Sequence, residues 1–139
     1  MPNRRENQIA VAAGAILLWV FGAVWYMALS GPWLAAIGRT EQQVQRYGMA
    51  PFIVALALCW LICYGIANVL TFSPIHSWAR GARLGVFLGV CIFGAMSLMQ
   101  ILFSGENLSL FAIDGGYGII GMALSGALIG WMKPGTSRA

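Results

Sequence analysis

Charged side chains are scarce in this 139-residue chain. It has 8 lysines and arginines and 4 acidic residues, so that 9% of its residues are charged, whereas 60% are hydrophobic and the mean hydropathy is +0.78. Soluble domains carry about a quarter charged residues, so this composition excludes a surface that faces water on all sides. It predicts a single integral membrane domain over residues 1–139. The net charge of +4 indicates no nucleic-acid partner, because the basic residues lie between apolar stretches.

Motifs for catalysis or cofactor binding are also lacking. The single histidine, His76, lies in a polar connection, so no apolar stretch offers a haem ligand. The cysteines Cys59, Cys63 and Cys91 all lie in apolar stretches, and their odd number is a poor basis for disulfides. We interpret them as small apolar side chains in helix packing. Without a phosphate-binding loop or a Ser–His or Cys–His pair, the sequence predicts a non-enzymatic protein with no cofactor and no metal.

Long apolar runs are what the chain does contain. They cover residues 9–29, 51–72, 84–103 and 108–132. A bilayer core of about 30 Å needs about 20 apolar residues in a helix, and each run meets that length. The first run is longer than the apolar core of a signal peptide and carries Trp19 and Trp25, so we expect it to stay as a membrane anchor. The fold class predicted is therefore all-α, a four-helix transmembrane bundle.

The distribution of basic residues predicts the orientation. With the N-terminus inside, the inner connections and termini hold Arg4, Arg5, Arg80, Arg83, Lys133 and Arg138, and the outer connection holds Arg39 and Arg46. Lysine and arginine are enriched in cytoplasmic loops. We therefore expect both termini to be cytoplasmic.

The connection between the first two runs has the pattern of short helices. Pro32 suits the start of a helix and Gly38 its end. Thr40 and Gln43 have the spacing of a capping box, and Gly48 can close a second short helix. We interpret this segment as a short amphipathic surface helix lying on the membrane. A lid over a binding site is the alternative.

Glycines recur every four residues on the last two runs. They are Gly81, Gly85 and Gly89 on the third run and Gly126 and Gly130 on the fourth. The connection at 104–107 is so short that the two runs must form an antiparallel hairpin, in which Gly81 faces Gly130 and Gly85 faces Gly126. Small residues let membrane helices approach closely. The pattern predicts a helix-packing seam within the chain, with a homodimer interface as the alternative.

One acidic residue, Asp114, lies inside an apolar run. A buried carboxylate is costly in a membrane and usually faces the bundle interior or water. Helical spacing and the hairpin register predict a polar cluster near the outer end of the bundle, consisting of Asp114, Gln100, Ser97, Tyr117, Trp25 and Tyr26. In a functional interpretation this cluster binds a small polar solute, an ion or a proton. In a structural one, Asp114 is hydrogen-bonded to Gln100 or paired with Arg46.

The second run carries an aromatic and polar stripe. Trp60, Tyr64 and Asn68 are spaced four residues apart and share one helix face. We expect this face to pack against a neighbouring helix, with Asn68 hydrogen-bonded across the contact. A wall for a cofactor such as a quinone is the alternative.

Several short motifs resemble a known family. They are Gly22-Ala-Val-Trp25-Tyr26, Gly31-Pro32-Trp33, Gly38, Thr40-Glu41, Ile113-Asp114-Gly115-Gly116-Tyr117 and Gly126-Ala-Leu-Ile-Gly130-Trp131. They resemble a bacterial family of small integral membrane proteins of four predicted helices, classed as a domain of unknown function. The resemblance implies a location in the bacterial inner membrane and the four-helix architecture. It implies no reaction.

Three classes of function follow from these patterns. The first is an accessory or oligomer-forming membrane protein, whose partners are the lipid bilayer and further copies of itself or a larger membrane complex. The second is a small transporter or channel that uses the cluster around Asp114. A membrane enzyme comes third, because the sequence shows no nucleophile next to a base.

Overall fold

Helices make up the architecture of the chain. The computed structural model describes residues 4–72 and 77–132, with side chains from residue 7 onward, and this part of the chain contains no strand. In chain order the elements are α1 (Arg4–Ala28), α2 (Ser30–Ile37), α3 (Glu41–Gln45), α4 (Ala50–Thr71), α5 (Trp78–Leu88), a π-helix (Gly89–Gly94), α6 (Ala95–Ser104) and α7 (Leu108–Met132). The segments α5, π-helix and α6 follow one another without a break and form one long helix.

Four helices are long and apolar enough to cross a membrane. They cover Asn7–Ala28, Ala50–Thr71, Trp78–Ser104 and Leu108–Met132, and they are called spans 1 to 4. Together with the short helices between spans 1 and 2, they confirm the predicted fold class. Because successive spans alternate in direction, residues 29–49 and the turn at 105–107 share one end of the bundle, called the loop end.

Span 3 begins earlier than its apolar run. The hydroxyl of Ser77 accepts a hydrogen bond of 3.3 Å from the backbone N–H of Arg80 and caps the helix that starts at Trp78. The first turns contain basic residues, so hydropathy alone places the start at Leu84. Several residues named above lie outside the described part of the chain: His76, Lys133, Arg138 and the side chains of Arg4 and Arg5.

Span 4 is the central helix of the bundle. It contacts the other three spans, whereas span 2 lies mainly against span 1 and touches span 3 only lightly. The largest fully buried side chains are Val11, Leu18, Cys63, Ile66, Ser125 and Ile129. The buried hydroxyl of Ser125 donates a hydrogen bond of 3.2 Å to the carbonyl oxygen of Gly14. Spans 1, 2 and 4 thus share one core.

Glycines bring the backbones of spans 3 and 4 into direct contact. A Cβ atom built on Gly81 would lie 2.7 Å from the carbonyl carbon of Gly126 and 3.2 Å from the Cα of Gly130. A Cβ on Gly85 would lie 2.5 Å from the carbonyl carbon of Met122. No larger residue fits at these positions without separating the helices. Gly81 lies between Gly126 and Gly130 and does not face Gly130 alone, as the sequence predicted. Span 3 is therefore displaced along span 4 by about half a helical turn from the predicted pairing.

The π-helix explains part of this difference. A π-helical turn accommodates one additional residue in a helix. Gly81 and Gly85 precede the π-helix, so it shifts them by about one residue relative to span 4. It also brings Phe93 against span 4, where a Cβ on Gly118 would lie 2.9 Å from Cγ of the ring. On the same side, a Cβ on Gly89 would lie 2.9 Å from the Cα of Ile119. The close contact of the two spans thus extends through the π-helix.

The first of the two short helices continues span 1 across a kink at Leu29. The N–H of Leu29 donates to the carbonyl of Trp25 at 3.0 Å, and its own carbonyl accepts from the N–H of Trp33 at 2.9 Å. α2 begins at Ser30, so Pro32 lies within its first turn and is not its first residue. α2 contacts both α1 and α7 and therefore lies over the loop end of the bundle.

The second short helix begins after a left-handed glycine. Gly38 has a φ of 63°, as expected for a residue that ends a helix, and Gly48 has a φ of 60°. The backbone N–H of Thr40 donates to Oε1 of Gln43 at 3.0 Å, which is the reciprocal bond of a capping box. The predicted end of the first short helix at Gly38 is confirmed, whereas α3 ends at Gln45, three residues before the predicted end at Gly48.

The stripe on span 2 does not pack in the core, contrary to the sequence prediction. The side chains of Trp60 and Tyr64 are each 39% exposed, and their rings stack on each other with centroids 5.3 Å apart. The amide of Asn68 donates to the carbonyl of Tyr64 at 2.7 Å, within its own helix. The buried residues of span 2, such as Cys63 and Ile66, lie on another face of the helix, so the two aromatic rings lie outside the core.

Candidate ligand-binding groove

Asp114 is held by a tyrosine of span 1. The hydroxyl of Tyr26 donates a hydrogen bond of 2.7 Å to Oδ1 of Asp114, and both side chains are partly buried. Tyr26 lies near the end of α1, and Asp114 lies in the second turn of α7. The antiparallel course of spans 1 and 4 therefore brings them to the same depth at the loop end. This bond replaces the pairing with Gln100 or Arg46 that the structural interpretation expected.

Trp25 connects the same two helices on the neighbouring face. Its indole N–H donates a hydrogen bond of 3.0 Å to the carbonyl oxygen of Ile113. A Cβ on Gly116 would lie 3.1 Å from the edge of the indole ring, so glycine at this position lets the ring lie against the helix. Trp25 thus fixes span 1 on span 4 beside Asp114 and does not itself line the groove described below.

Tyr117 forms the floor of the cluster one turn deeper. Its hydroxyl donates to the carbonyl oxygen of Leu18 at 3.4 Å and lies 3.9 Å from Sγ of Cys59. Its ring lies edge-on to that of Tyr26, with centroids 5.4 Å apart. A Cβ on Gly22 would lie 3.0 Å from the Tyr117 ring. A glycine of span 1 therefore makes the space that the tyrosine of span 4 occupies.

Trp33 also belongs to this cluster, although its sequence pattern did not predict it. Its ring lies edge-on to that of Tyr26 with centroids 5.7 Å apart, and Tyr26 in turn donates its hydrogen bond to Asp114. The pattern of α2 indicates an apolar face but not which surface that face meets. The kink at Leu29, which turns α2 over the bundle, has no recognisable sequence signal.

Ser97 and Gln100 approach the cluster from α6. Both line the same groove as Asp114, Tyr26 and Tyr117. Within residues 4–72 and 77–132, neither side chain is hydrogen-bonded to the carboxylate, and Gln100 is exposed. The structure thus brings five of the six residues of the sequence-derived cluster to one groove, with Trp25 directly behind it.

The groove runs between spans 2 and 3 and has a volume of about 970 Å³. We call it the span 2–3 groove. Its walls are mostly apolar, and they comprise Leu61, Ile62, Gly65, Ile66 and Val69 of span 2, Leu88, Ile92, Phe93, Met96, Met99 and Phe103 of span 3, and Met122 of span 4. Its polar groups lie towards the loop end, at Tyr26, Ser97, Gln100 and Asp114. Methionine side chains adapt readily to ligands of different shape.

The polar end of the groove is acidic. Among the residues that the structure describes, Asp114 is the only acidic or basic one that lines the groove, and Glu106 lies in the neighbouring turn. The basic residues of the loop end, Arg39 and Arg46, line a separate cleft. A group that enters the groove at Asp114 therefore meets a carboxyl group that can accept hydrogen bonds.

Groups suited to metal binding do not gather in the described residues. No cluster of three or more histidine, cysteine or acidic side chains occurs within 4–72 and 77–132. The three cysteines in this part of the chain are free thiols; Cys59 and Cys63 are buried and Cys91 is exposed.

Comparison with protein families gives one match. A family model described as "Protein of unknown function (DUF1761)" matches residues 9–130. The chain belongs to this family. The matched region of DUF1761 reaches into all four spans and contains the whole span 2–3 groove, and it confirms the resemblance inferred from the short motifs. No curated protein and no solved structure matches the chain. The family description assigns no activity, so function must be argued from the geometry.

Proposed function

We propose that this DUF1761 protein is a non-enzymatic membrane protein that binds an amphipathic ligand in the span 2–3 groove, with the polar end of the ligand at Asp114. The observation that supports the proposal most directly is a carboxylate at one end of a groove with otherwise apolar walls. Ligand pockets are commonly apolar with a few placed polar groups, and about 300–1,000 Å³ in volume. The groove matches this description in both respects.

The chemistry of the polar end favours a ligand with an ammonium or another hydrogen-bond-donating group. A carboxylate has two oxygens and several lone pairs, and the hydrogen bond from Tyr26 goes to Oδ1. Glu106 adds a second acidic side chain in the neighbouring turn, and none of the described residues that line the groove is a lysine or an arginine. A cationic head would complete the pairing of a carboxylate in a site of low polarity.

Binding of alkyl probes with different heads tests this function. Thermal unfolding in a neutral detergent would be measured with dodecylammonium, dodecanol and dodecanoate below their micellar concentrations. We expect dodecylammonium to raise the melting temperature most, and we expect Asp114→Asn to remove this difference. Glu41→Gln serves as a matched control, since Glu41 is exposed and lies outside the groove. Equal stabilisation by all three probes, or an undiminished effect in Asp114→Asn, would show the proposal to be wrong.

Transport of a small polar solute, an ion or a proton is the competing function of the same cluster. It is supported by the position of Asp114, Gln100 and Ser97 near one end of the bundle. Flux into liposomes distinguishes the two functions. Flux of protons or small cations that depends on Asp114, without head-group-dependent stabilisation by the alkyl probes, would favour transport.

An accessory or oligomer-forming role is supported by a different surface. The stacked Trp60–Tyr64 pair is exposed on span 2, and the half-buried Asn68 follows one turn later. An aromatic and amide face of this kind suits contact with a second transmembrane helix. Light scattering in detergent, with Trp60→Leu/Tyr64→Leu as the variant, tests this role. A wild-type protein that is strictly monomeric would contradict it.

We also propose a location and an orientation. Basic residues are more numerous at the termini and in the 73–83 connection than in the 30–50 connection. We therefore place the protein in the bacterial inner membrane with both termini in the cytoplasm and the loop end outside. A reporter fused after Ala139 should be active only in the cytoplasm, and activity in the periplasm would reverse the orientation.

A further inference from the structure

The loop end carries a second concave site that is separate from the groove. It has a volume of about 530 Å³ and is lined by Gly38, Arg39, Gln43, Arg46 and Tyr47. We propose that this site, called the arginine cleft, binds the phosphate of an anionic lipid headgroup between the guanidinium groups of Arg39 and Arg46. The proposal does not depend on the function proposed for the span 2–3 groove.

The local fold places the two arginines at opposite ends of one short helix. Arg39 follows the left-handed Gly38 and directly precedes the capping residue Thr40, whereas Arg46 follows the last residue of α3. The five residues of α3 separate them by about 7.5 Å along the helix axis, and Thr40 adds one extended residue. Two extended arginine side chains can span that distance and meet at one anion. Both line the same cleft, which shows that they open onto a common space.

The charge of the cleft is not balanced by its own lining. Within residues 4–72 and 77–132, no acidic side chain lines it. Glu41 is the acid of this segment, and its carboxylate accepts a hydrogen bond of 3.1 Å from the amide of Gln45. The two guanidinium groups therefore share a cleft with neutral hydrogen-bonding partners, Gln43 and Tyr47. An anion between them would relieve the repulsion and accept paired hydrogen bonds, for which a phosphate is well suited.

The surroundings of the cleft favour a phosphate that belongs to a lipid. Span 2 begins at Ala50, directly after the cleft, and the intervening Met49 is 70% exposed. Tyr47 in the cleft wall and Phe52 at the start of the span are also exposed. Tyrosine is enriched at the level of the lipid headgroups. We therefore place the two arginines at the depth where headgroup phosphates are found.

The experiment compares lipids and soluble phosphates on the full-length protein in neutral detergent. Retention of dioleoylphosphatidylglycerol would be titrated by native mass spectrometry, with dioleoylphosphatidylcholine as the lipid of zero net charge. We expect Arg39→Gln/Arg46→Gln to weaken binding of the anionic lipid roughly 25-fold, since each basic residue near an anionic headgroup contributes about fivefold. Arg39→Lys/Arg46→Lys should weaken binding of the anionic lipid less, because lysine keeps the positive charge and loses only the paired hydrogen bonds of the guanidinium group.

Arg83→Gln is the matched control, because Arg83 is exposed and lies on span 3 towards the opposite end of the bundle. It should bind the anionic lipid as the wild type does. Equal lipid binding by the wild type and Arg39→Gln/Arg46→Gln would overturn the proposal, and so would an equal loss in Arg83→Gln. Displacement of the lipid by millimolar inorganic phosphate or glycerophosphoglycerol would overturn its assignment to a lipid. Unchanged melting of the double variant without lipid would show that the fold is intact.

Discussion

Removing the hydroxyl of Tyr26 should destabilise the bundle through Asp114. Tyr26→Phe leaves the ring, with its contacts to Trp33 and Tyr117, and deletes the donor of the 2.7 Å bond. Hydrogen bonds to charged groups contribute about 1.5–3 kcal/mol in soluble proteins. Side-chain hydrogen bonds between membrane helices average about 0.6 kcal/mol, with a maximum near 1.7. We therefore expect the free energy of unfolding to fall by about 1–1.7 kcal/mol, in the upper part of the membrane range.

A double-mutant cycle isolates the bond itself. Asp114→Asn removes the charge and keeps a side chain of similar size, so the cycle of Tyr26→Phe and Asp114→Asn measures how strongly the two groups depend on each other. Unfolding of each variant would be followed by circular dichroism in mixed micelles of dodecyl maltoside and increasing dodecyl sulfate. Tyr64→Phe is the matched control, since the side chain of Tyr64 is exposed on span 2, away from Asp114 and outside the core.

The expected coupling between Tyr26 and Asp114 is about 1 kcal/mol, and Tyr64→Phe should change the free energy of unfolding by less than about 0.5 kcal/mol. Additive effects of the two substitutions, with no coupling beyond the error of the measurement, would refute the claim that this bond holds spans 1 and 4 together. An equal fall in the free energy of unfolding for Tyr64→Phe and Tyr26→Phe would also refute it, because the effect would then not depend on the bond to Asp114.

Three further substitutions test the packing. Gly81→Ala should lower the free energy of unfolding by more than about 2 kcal/mol, because the added Cβ meets the backbone of Gly126. Gly65→Ala is the control, because a Cβ on Gly65 meets nothing within 4 Å. It should be neutral or stabilising in the same unfolding assay. Gly118→Ala should displace the Phe93 ring and lower the melting temperature, and an unchanged temperature would contradict that contact. Ser125→Ala should cost about 0.6–1.7 kcal/mol through the lost bond to the Gly14 carbonyl, and no change in chemical unfolding would disprove it.

Much of the architecture could be predicted because its causes are local in the sequence. Apolar runs of sufficient length predict four helices, since a buried backbone in lipid must satisfy its hydrogen bonds within the helix. The short turn at 104–107 places spans 3 and 4 side by side, and glycine spacing identifies the faces that meet. Asp114 is conspicuous as a charge in an apolar run. Its depth also indicates which aromatic residues at the end of span 1 lie near it.

The features that could not be predicted depend on how whole helices are arranged. Trp60 and Tyr64 have the spacing of a core face, but a helix in a membrane can turn such a face outward because lipid is as apolar as protein. The kink at Leu29, which brings Trp33 against Tyr26, is a single-residue departure from a continuous helix. The π-helix at Gly89–Gly94 lies within a sequence that reads as ordinary helix throughout. Nothing in the individual runs indicates that spans 2 and 3 stay apart.

The separation of spans 2 and 3 follows from the close contact of spans 3 and 4. Glycines at 81, 85 and 89 bring span 3 so near the backbone of span 4 that its remaining side chains project to either side. Span 2 is held on the other side of the core by span 1, through buried contacts around Cys63 and Ile66. Both attachments leave a gap that neither span can close without losing its own contact with the core. The groove is therefore a consequence of the packing of spans 2 and 3 against different neighbours. Its acidic residue, Asp114, lies where Tyr26 of span 1 donates a hydrogen bond to it.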